Sequence, residues 1–470
     1  MSPPRLHDLS AVELLAAYRS KALSPVEVVR DVLKNMAAWE PRLHATYALD
    51  AAAAMAQAEA SQARWLKGEP QGALDGVPAM LKENIATRGV PTPLGSAATE
   101  LEAAERDAPP AARLREAGAV ILGKTTMPDL GMLSSGLSSF HALTRNPWDL
   151  RCNPSGSSAG AAAGVAAGYG PLHVGTDIGG SVRLPAGWCG IFALKPSLGR
   201  IPIDPPYAGR VAGPMTRTVA DAALLMRVLS QPDARDTMSL PYQAITWHAL
   251  ERELRGLKIG LLLDMGWGAT VQPEVRAAVE AAARLFEAAG ASVEPMPPFL
   301  TRGMAEGIDD FWRTRAWLDI SALREERRKR VLPFVLEWAR GAAGLSGERV
   351  FRGYTQMGVL RDAAVRACQR FDIVLSPTAP MPAFAAELPC PTNDPARPFE
   401  HIAFTLPFNM SEQPAASIDC GHTAQGLPIG LQIIGRRHDD LGVLQAAHAW
   451  ERLRPQPRPW PRPPDAPNLP

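Results

Sequence analysis

The chain of 470 residues lacks several features that would mark particular classes of protein. No apolar run reaches the ~18 residues that a membrane-spanning helix needs, and the N-terminus has no basic start followed by an apolar segment, as a signal peptide would. Lys plus Arg (49) nearly equals Asp plus Glu (48), for a net charge of +1. This balance gives no reason to expect nucleic acid or a membrane as partner.

Cysteine is also scarce. The five cysteines are scattered and form neither a C-x-x-C pair nor a disulfide-scaffold spacing: Cys152, Cys189, Cys368, Cys390 and Cys420. They predict free thiols in a reducing cytoplasm and no metal site. Hydrophobic residues (46%) and charged residues (21%) are present in the proportions of an ordinary soluble enzyme. The length could hold two or three domains or one large α/β domain.

Helix signals dominate the N-terminal part. Ser10 with Glu13 and Ser24 with Glu27 form capping boxes, and Asp50 begins an Ala-rich helix that ends at Gly68. These signals predict an N-terminal helical layer over residues 8–68.

Short apolar runs then alternate with glycine turns and helical stretches, which predicts strands buried on both faces of a sheet. The predicted strands are Val77–Leu81, Ala119–Leu122, Leu172–Val174, Ile191–Leu194, Leu257–Leu263, Ala291–Glu294 and Ile373–Leu375, with a helix over Glu274–Ala289. Residues 299–366 have a helical period and predict a helical insertion. The tail over residues 454–470 alternates Pro with Arg, so we expect it to be extended or disordered. The fold class predicted is α/β.

Residues 153–195 are dense in Gly, Ala and Ser. Gly156, Gly160, Gly164 and Gly168 recur every four residues, which predicts one face of a helix. Since Gly in a helix costs ~1 kcal/mol relative to Ala, another backbone is expected to approach closely. Close packing of the helix against its neighbours would by itself also explain why glycines occupy this face.

The stretch Gly179-Gly180-Ser181 could offer a nucleophile beside backbone N–H groups that form an oxyanion hole, although such turns are commonly structural. His173, the one histidine within twenty residues of Ser181, falls on a predicted buried strand and is a poor candidate for the base. Lys82, at the end of an apolar run, could serve instead if burial disfavours its charged form. A lysine in that position is also commonly solvated.

These signals form one pattern. The runs Asp75–Ile85 (DGVPAMLKENI), Pro154–Gly160 (PSGSSAG) and Gly175–Arg183 (GTDIGGSVR) resemble the motifs of the amidase-signature family. The intervals are 75 residues from Lys82 to Ser157 and 24 from Ser157 to Ser181. The resemblance covers roughly residues 5 to 453. Ser155, Ala159 and Glu412 depart from it, because the family usually has glycine there.

The resemblance implies a single domain over residues 1–470 with a mixed, twisted sheet covered by helices on both faces. It implies an amidohydrolase that cleaves the C–N bond of a linear carboxylic amide and needs no cofactor. Aryl amides, esters and carbamates are the alternative substrates that the resemblance leaves open. Lys82, Ser157 and Ser181 would be catalytic, after a cis Gly156–Ser157 bond. The N–H groups of Ile178, Gly179, Gly180 and Ser181 would form the oxyanion hole. Asp177 and Arg183 would fix the turn, and Ser158 would assist through a hydrogen bond. For Arg183, a structural salt bridge and a direct role in binding the substrate are equally open.

The substrate pocket is expected near the motifs, with Met127, Met132, Phe140 and Trp188 in its wall. The helical insertion could add Phe311, Trp312, Trp317, Phe334, Trp338, Phe351 and Tyr354. Large apolar groups favour an aryl or acyl amide, an anilide or a carbamate over a small charged amide as the small-molecule substrate. Aromatics at helical spacing are, however, commonly core residues.

Three alternatives remain beside this hypothesis. Within the family, the chain could be the glutaminase component of a tRNA-dependent amidotransferase, although residues 199–207 lack the Tyr-Gly and Ala-Ser-Ser-Leu-Asp run associated with that component. It could be a catalytically silent binding protein with the same fold. Nucleotide binding would need a G-x-x-x-x-G-K-[ST] string, which is missing. By analogy with dimeric relatives, a homodimer is one assembly that the resemblance admits.

Overall fold

A computed structural model describes residues 5–464 of the chain. Its sheet has eleven strands: β1 (Thr46–Tyr47), β2 (Pro78–Lys82), β3 (Val120–Thr125), β4 (Leu172–Asp177), β5 (Phe192–Lys195), β6 (Val211–Thr216), β7 (Lys258–Leu261), β8 (Ser292–Pro295), β9 (Ile373–Pro377), β10 (Ala415–His422) and β11 (Pro428–Gly435).

The α-helices of the described chain are α1 (Ala11–Arg19), α2 (Pro25–Leu43), α3 (Ala51–Lys67), α4 (Pro109–Glu116), α5 (Ala159–Ala167), α6 (Arg183–Cys189), α7 (Val219–Leu229), α8 (Pro273–Ala288), α9 (Arg302–Ser321), α10 (Glu325–Arg328), α11 (Pro333–Arg340), α12 (Gly347–Cys368), α13 (Leu406–Met410) and α14 (Asp440–Leu453). Short 3-10 helices cover Leu6–Asp8, Asp129–Gly131 and Glu400–Ile402. None of the helices between residues 5 and 464 has the length and apolar character needed to cross a bilayer.

The strand order is β1-β3-β2-β4-β6-β5-β10-β11-β9-β7-β8. Strands β3, β2 and β4 run parallel to one another, as do β9, β7 and β8, whereas every pair between β4 and β9 is antiparallel. The sheet is therefore mixed, and the predicted α/β class is confirmed.

Helices cover the sheet on both sides because successive strand side chains point to opposite faces. On β9, Ile373 and Leu375 belong to the core that also contains residues of α7 and α14, whereas Val374 belongs to the core with α9, α11 and α12. All three side chains are buried.

The first helices begin where the capping signals predict. Both capping boxes form, Ser10 with Glu13 at α1 and Ser24 with Glu27 at α2. The Asp50 side chain accepts a hydrogen bond at the start of α3, and Gly68 ends that helix in the left-handed conformation.

Helices α9 to α12 occupy most of residues 299–366, where the helical period predicts them. Residues 455–464 of the tail form neither helix nor strand. Trp460 of this tail stacks under the Arg217 guanidinium at 4.4 Å and lies 6.2 Å from the Trp148 ring. The predicted tail continues over residues 465–470, which lie outside the described residues.

Candidate active site

Lys82 is the last residue of β2 and lies in the interior of the protein. Its Nζ donates to Ser157 Oγ at 2.8 Å and to Thr176 Oγ1 at 3.0 Å. Asn84 Nδ2 also donates to Thr176 Oγ1, at 3.0 Å. β2 and β4 are parallel neighbours, so the carboxyl ends of both strands bring Lys82 and Thr176 to the same edge of the sheet.

The Lys82 side chain is fully buried. Burial, assisted by the positive charge of Arg210, lowers the pKa of Lys82 to about 7, against weaker opposing effects of Asp177 and Glu83. An amine with this pKa is neutral in a substantial fraction of molecules at neutral pH, and only the neutral amine can accept a proton.

Ser157 lies just before α5, and the Gly156–Ser157 peptide bond is cis. The four glycines of this region do not share one helix face as predicted, because α5 covers only Ala159–Ala167. Gly160 and Gly164 lie within α5, whereas Gly156 precedes it and Gly168 caps it in the left-handed conformation. The expected close backbone approach does occur at Gly160, where an added Cβ would lie 2.5 Å from Thr126 N.

Ser181 follows β4 on a turn held by a buried network around Asp177. Arg183 donates to both Asp177 oxygens at 3.0 Å, and Asn409 Nδ2 donates to Oδ1 at 2.8 Å. Burial alone would raise the pKa of the Asp177 carboxyl, but the charge and hydrogen bonds of Arg183 and Asn409 outweigh it and lower that pKa. Arg183 therefore forms a structural ion pair that stabilises the turn.

Gly180 differs from its neighbours in the predicted oxyanion hole. Its N–H donates to Asp177 Oδ1 at 2.8 Å, so that N–H is directed at the carboxylate and not at a substrate. Its φ of 130° favours glycine, and an added Cβ would lie 2.7 Å from Leu184 Cδ1. Ile178, Gly179 and Ser181 line the cavity described below, whereas Gly180 does not.

Ser158 ties the two serine motifs together. Its N–H donates to the Ser181 carbonyl at 3.2 Å, and its Oγ donates to the Thr176 carbonyl at 3.2 Å. Ser157 and Ser181 line the same cavity. In the described structure of residues 5–464, the Ser157 and Ser181 hydroxyls are not hydrogen-bonded to each other.

A cavity of about 580 Å³ opens at these serines. Met127 and Met132 line it as predicted, and of the aromatic residues suggested from the insertion Trp312 does so. Phe140 and Trp188 do not line it, contrary to prediction. Phe140 packs edge-on against Tyr47 and His141, and buried Trp188 donates its Nε1–H to the Met381 carbonyl at 2.8 Å.

The other aromatics of the insertion are likewise absent from the cavity wall. Phe311 pairs with Tyr354, Trp338 packs edge-on against Phe399, and Phe351 is exposed. Trp317 and Phe334 are partly buried against the core that Val374 forms with residues of α9, α11 and α12. Helical periodicity identifies a buried stripe, but it does not indicate which neighbour that stripe faces.

Sequence reasoning missed several cavity residues. Thr176, which binds Lys82, stands inside the Gly175–Arg183 motif, so the motif itself could have indicated it. Tyr207 and Arg210 come from the loop before β6, and Arg315 from α9. These three carry no local signal, because only the tertiary fold brings them to the cavity.

Of the three residues that stand where the family usually has glycine, two adopt the left-handed backbone conformation. Ser155 has a φ of 70° and Glu412 a φ of 65°, a region that disfavours residues with a Cβ. Ala159 begins α5 and has no such requirement. The Ser155 Oγ is moreover buried without a hydrogen-bond partner among the described residues.

An eleven-stranded mixed sheet with helices on both faces, carrying a buried lysine beside the serine motifs, defines an α/β protein of the amidase-signature type. A family model described as Amidase matches residues 27–444. The chain therefore belongs to the amidase family.

Relatives with different names resemble the chain along almost its whole length. It is 36% identical over 490 residues to the A subunit of the glutamyl-tRNA(Gln) amidotransferase of Myxococcus xanthus (strain DK1622), covering 95% of this chain and 98% of that protein. It is 33% identical over 466 residues to an acylamidase of Rhodococcus erythropolis, covering 97% of each.

Among solved structures, a bacterial aryl acylamidase of the amidase-signature family has a TM-score of 0.88 at 32% identity, covering 96% of this chain and 97% of that one. A 6-aminohexanoate cyclic dimer hydrolase has a TM-score of 0.85 at 26% identity, covering 96% of this chain and 98% of that one.

Proposed function

We propose that the chain is a self-sufficient amidohydrolase that cleaves a carboxylic amide through an acyl-enzyme on Ser181. The observation that carries the proposal is the buried Lys82, with its pKa lowered to about 7 and its Nζ 2.8 Å from Ser157 Oγ, at a cavity that Ser181 also lines. A lysine poised near neutral pH can act as the general base that a hydrolase without a nearby histidine needs.

In the proposed mechanism, neutral Lys82 accepts the proton of Ser157 while Ser157 accepts that of Ser181. The Ser181 oxygen then bonds to the carbonyl carbon, and N–H groups of Ile178, Gly179 and Ser181 hold the oxyanion. Ser157 returns a proton to the leaving nitrogen, the C–N bond breaks, and water hydrolyses the resulting ester. Closer approach of the two hydroxyls is expected on substrate binding, because catalytic hydrogen bonds tighten in that complex.

An aryl or acyl amide is the proposed substrate. Apolar groups of Met127, Leu184, Trp312, Phe399 and Ile402 contribute to the cavity wall, and a cavity of about 580 Å³ can hold a molecule larger than a primary amide. The acylamidase names among the relatives agree with this class.

A release assay tests the proposal. The purified chain is offered aryl amides, primary amides, esters and carbamates, beside Ser181→Ala and the control Ser20→Ala at the exposed end of α1. We expect turnover in the wild type and the control, and a loss of ~10³-fold or more in Ser181→Ala. A serine-directed fluorophosphonate should label Ser181, and Lys82→Ala should abolish the labelling. Turnover that survives in Ser181→Ala would overturn the mechanism, and an unlabelled, inactive chain would favour a silent binding protein.

A second candidate is the glutaminase component of an amidotransferase, which is favoured by the 36% identity to a glutamyl-tRNA(Gln) amidotransferase chain. Such a component would hydrolyse glutamine only with its partner. Turnover of an anilide by the isolated chain supports the stand-alone enzyme. Glutamine hydrolysis that appears only with a co-purifying protein supports the second candidate.

The assembly and the compartment are part of the same proposal. We propose a homodimer in the cytoplasm, with no further type of subunit. Light scattering on the purified chain tests the mass, and fractionation of the source cells tests the location.

A further inference from the structure

The cavity has a positively charged wall to which the proposed mechanism assigns no contact with the substrate. Arg210, just before β6, and Arg315, on α9, both line the cavity, as does Tyr207. The two arginines reach it from elements more than a hundred residues apart in the chain. Their convergence is therefore a property of the tertiary fold.

Neutral groups hold both guanidinium groups. Arg210 Nη1 donates to the Pro205 carbonyl at 3.0 Å. Arg315 lies over the Tyr207 ring at 4.8 Å, and its Nη2 is 3.8 Å from Met132 Sδ. Neither guanidinium forms an ion pair with a carboxylate in the described part of the chain.

The positive charges also act on each other. Burial and the charge of Arg315 lower the pKa of Arg210, against a smaller opposing effect of Asp204. Of the carboxylates at the cavity that lie outside the Asp177 network, Asp204 is paired with Arg106 at 3.2 Å, and Asp319 is exposed. Solvent screens an exposed carboxylate, so it compensates the partly buried guanidinium groups poorly. Partly buried cations without a counter-ion are costly unless a ligand neutralises them.

We propose that Arg210 and Arg315 bind an anionic group of the substrate, so that the preferred substrate is an amide carrying a carboxylate. A guanidinium offers paired N–H donors that match the two oxygens of a carboxylate, and the bonds formed are charge-assisted. The stacking on Tyr207 fixes the plane of the Arg315 fork before the ligand arrives. This inference rests on the proposed hydrolase function and specifies its substrate class.

Matched substrates test the inference on the wild-type enzyme. One pair varies the acyl side, glutaryl against pentanoyl p-nitroanilide, and the other varies the amine side, 4-acetamidobenzoate against 4-acetamidotoluene. In at least one pair, we expect kcat/KM to be ~10-fold or more higher for the carboxylate member. The pair that shows the preference also locates the charge on the acyl or the amine side.

The variants Arg315→Gln and Arg210→Gln should lower the ratio of kcat/KM between the carboxylate substrate and its neutral partner ~10-fold or more. The ratio is used because any effect of the substitution on the base changes both rates alike. Arg302→Gln is the matched control, because it lies on the same helix α9 but is 77% exposed and outside the cavity. Since removing Arg210 is expected to raise the Lys82 pKa, the assays are run at about pH 9, well above the Lys82 pKa of about 7.

Two results would overturn the inference: equal kcat/KM within both substrate pairs, or a preference that survives in the Arg210→Gln/Arg315→Gln double variant. If a variant does not fold, the wild-type comparison still decides. Failure here is distinguishable from failure of the proposed function, because neutral amides would still be turned over in a Ser181-dependent way.

Discussion

At the residue scale, the site depends on the Lys82 amine, which is shielded from solvent. Lys82 is fully buried, and its two hydrogen-bond partners, Ser157 and Thr176, are neutral hydroxyls. An adjacent carboxylate would have held the proton on the amine, whereas hydroxyls do so only weakly. The environment therefore favours the neutral amine, which can act as a base, much more than water does.

The pH dependence of kcat/KM follows from this environment. Because burial and Arg210 lower the Lys82 pKa to about 7, the active neutral form is lost as the pH falls through that value. We expect kcat/KM for a neutral anilide to rise tenfold per pH unit below about pH 7 and to level off above it. Initial rates between pH 5 and about 9.5 measure this, and a profile that stays flat down to pH 5 would rule out Lys82 as the base.

Ser155 carries a cost that the family's usual glycine avoids. Its φ of 70° and its unpartnered buried Oγ both destabilise the folded state. We expect Ser155→Gly to raise the free energy of unfolding by about 1 kcal/mol, after subtracting the greater freedom of glycine in the unfolded chain. Denaturant titration measures the change.

The matched control for this change is Ala159→Gly, which also restores a family glycine. Ala159 begins α5 with a helical backbone, so glycine there should lower the free energy of unfolding by roughly 0.5–1 kcal/mol. Destabilisation by both substitutions would contradict the assignment of strain to Ser155.

At the scale of elements, α5 is placed by close backbone contact. Gly160 approaches the Ala45 carbonyl and Thr126 N so closely that no side chain fits. The Gly160 N–H also donates to the Thr126 carbonyl at 3.1 Å. This contact sets α5 against the end of β3 and so positions Ser157, just before the helix.

Replacing a glycine with alanine should therefore have opposite effects on stability in α5 and in α12. Gly160→Ala is expected to destabilise the protein by about 1–3 kcal/mol and to lower kcat, despite the better helix propensity of alanine. Gly358→Ala, on α12 with open space around it, should stabilise by about 0.5–1 kcal/mol. Paired denaturant curves and rates test this, and equal effects at the two sites would contradict the packing argument.

Elements were predictable from sequence where the signal is local. Capping boxes at Ser10 and Ser24 and the glycine stop at Gly68 involve residues three or four apart, and each forms in the structure. The glycine repeat misled because Gly156 and Gly168 share its spacing but lie outside α5. The hairpin of β10 and β11 went unpredicted although its two strands are neighbours in the chain. Every residue of β11 is buried, so this strand lacks the alternation of apolar and polar residues that marks a hairpin strand in a sequence.

At the scale of the whole molecule, the proposed catalytic residues and the cavity wall differ in how far the sequence could predict their positions. Lys82, Ser157 and Ser181 stand in recognisable motifs, and the fold brings all three to one place. Trp188 and Phe140 lie near those motifs in the chain, yet each packs elsewhere. Arg315 reaches the cavity from a helix with no motif, because tertiary packing decides which helix face meets the site.

We expect the C-terminal tail to stabilise the folded protein, because it links parts of the chain that are far apart in sequence. Trp460 contacts Arg217 and Trp148, which lie in distant parts of the chain. Trp460→Ala should lower Tm by about 1–2 °C through loss of these contacts and leave kcat unchanged, because the residue is absent from the cavity. Trp460→Phe retains a ring and should show a smaller shift. A Trp460→Ala enzyme with wild-type Tm would show that the tail is not docked in solution.

The network around Arg183 has a consequence for the order in which the protein becomes active during synthesis. Besides Asp177, Arg183 binds the Thr405 carbonyl, Asn409 and Gln432, all near the end of the chain. A chain synthesised only as far as residue 404 has its serines and lysine but lacks these three partners of Arg183. Translation that stops before residue 405 therefore releases a fragment in which the Ser181 turn is not fixed.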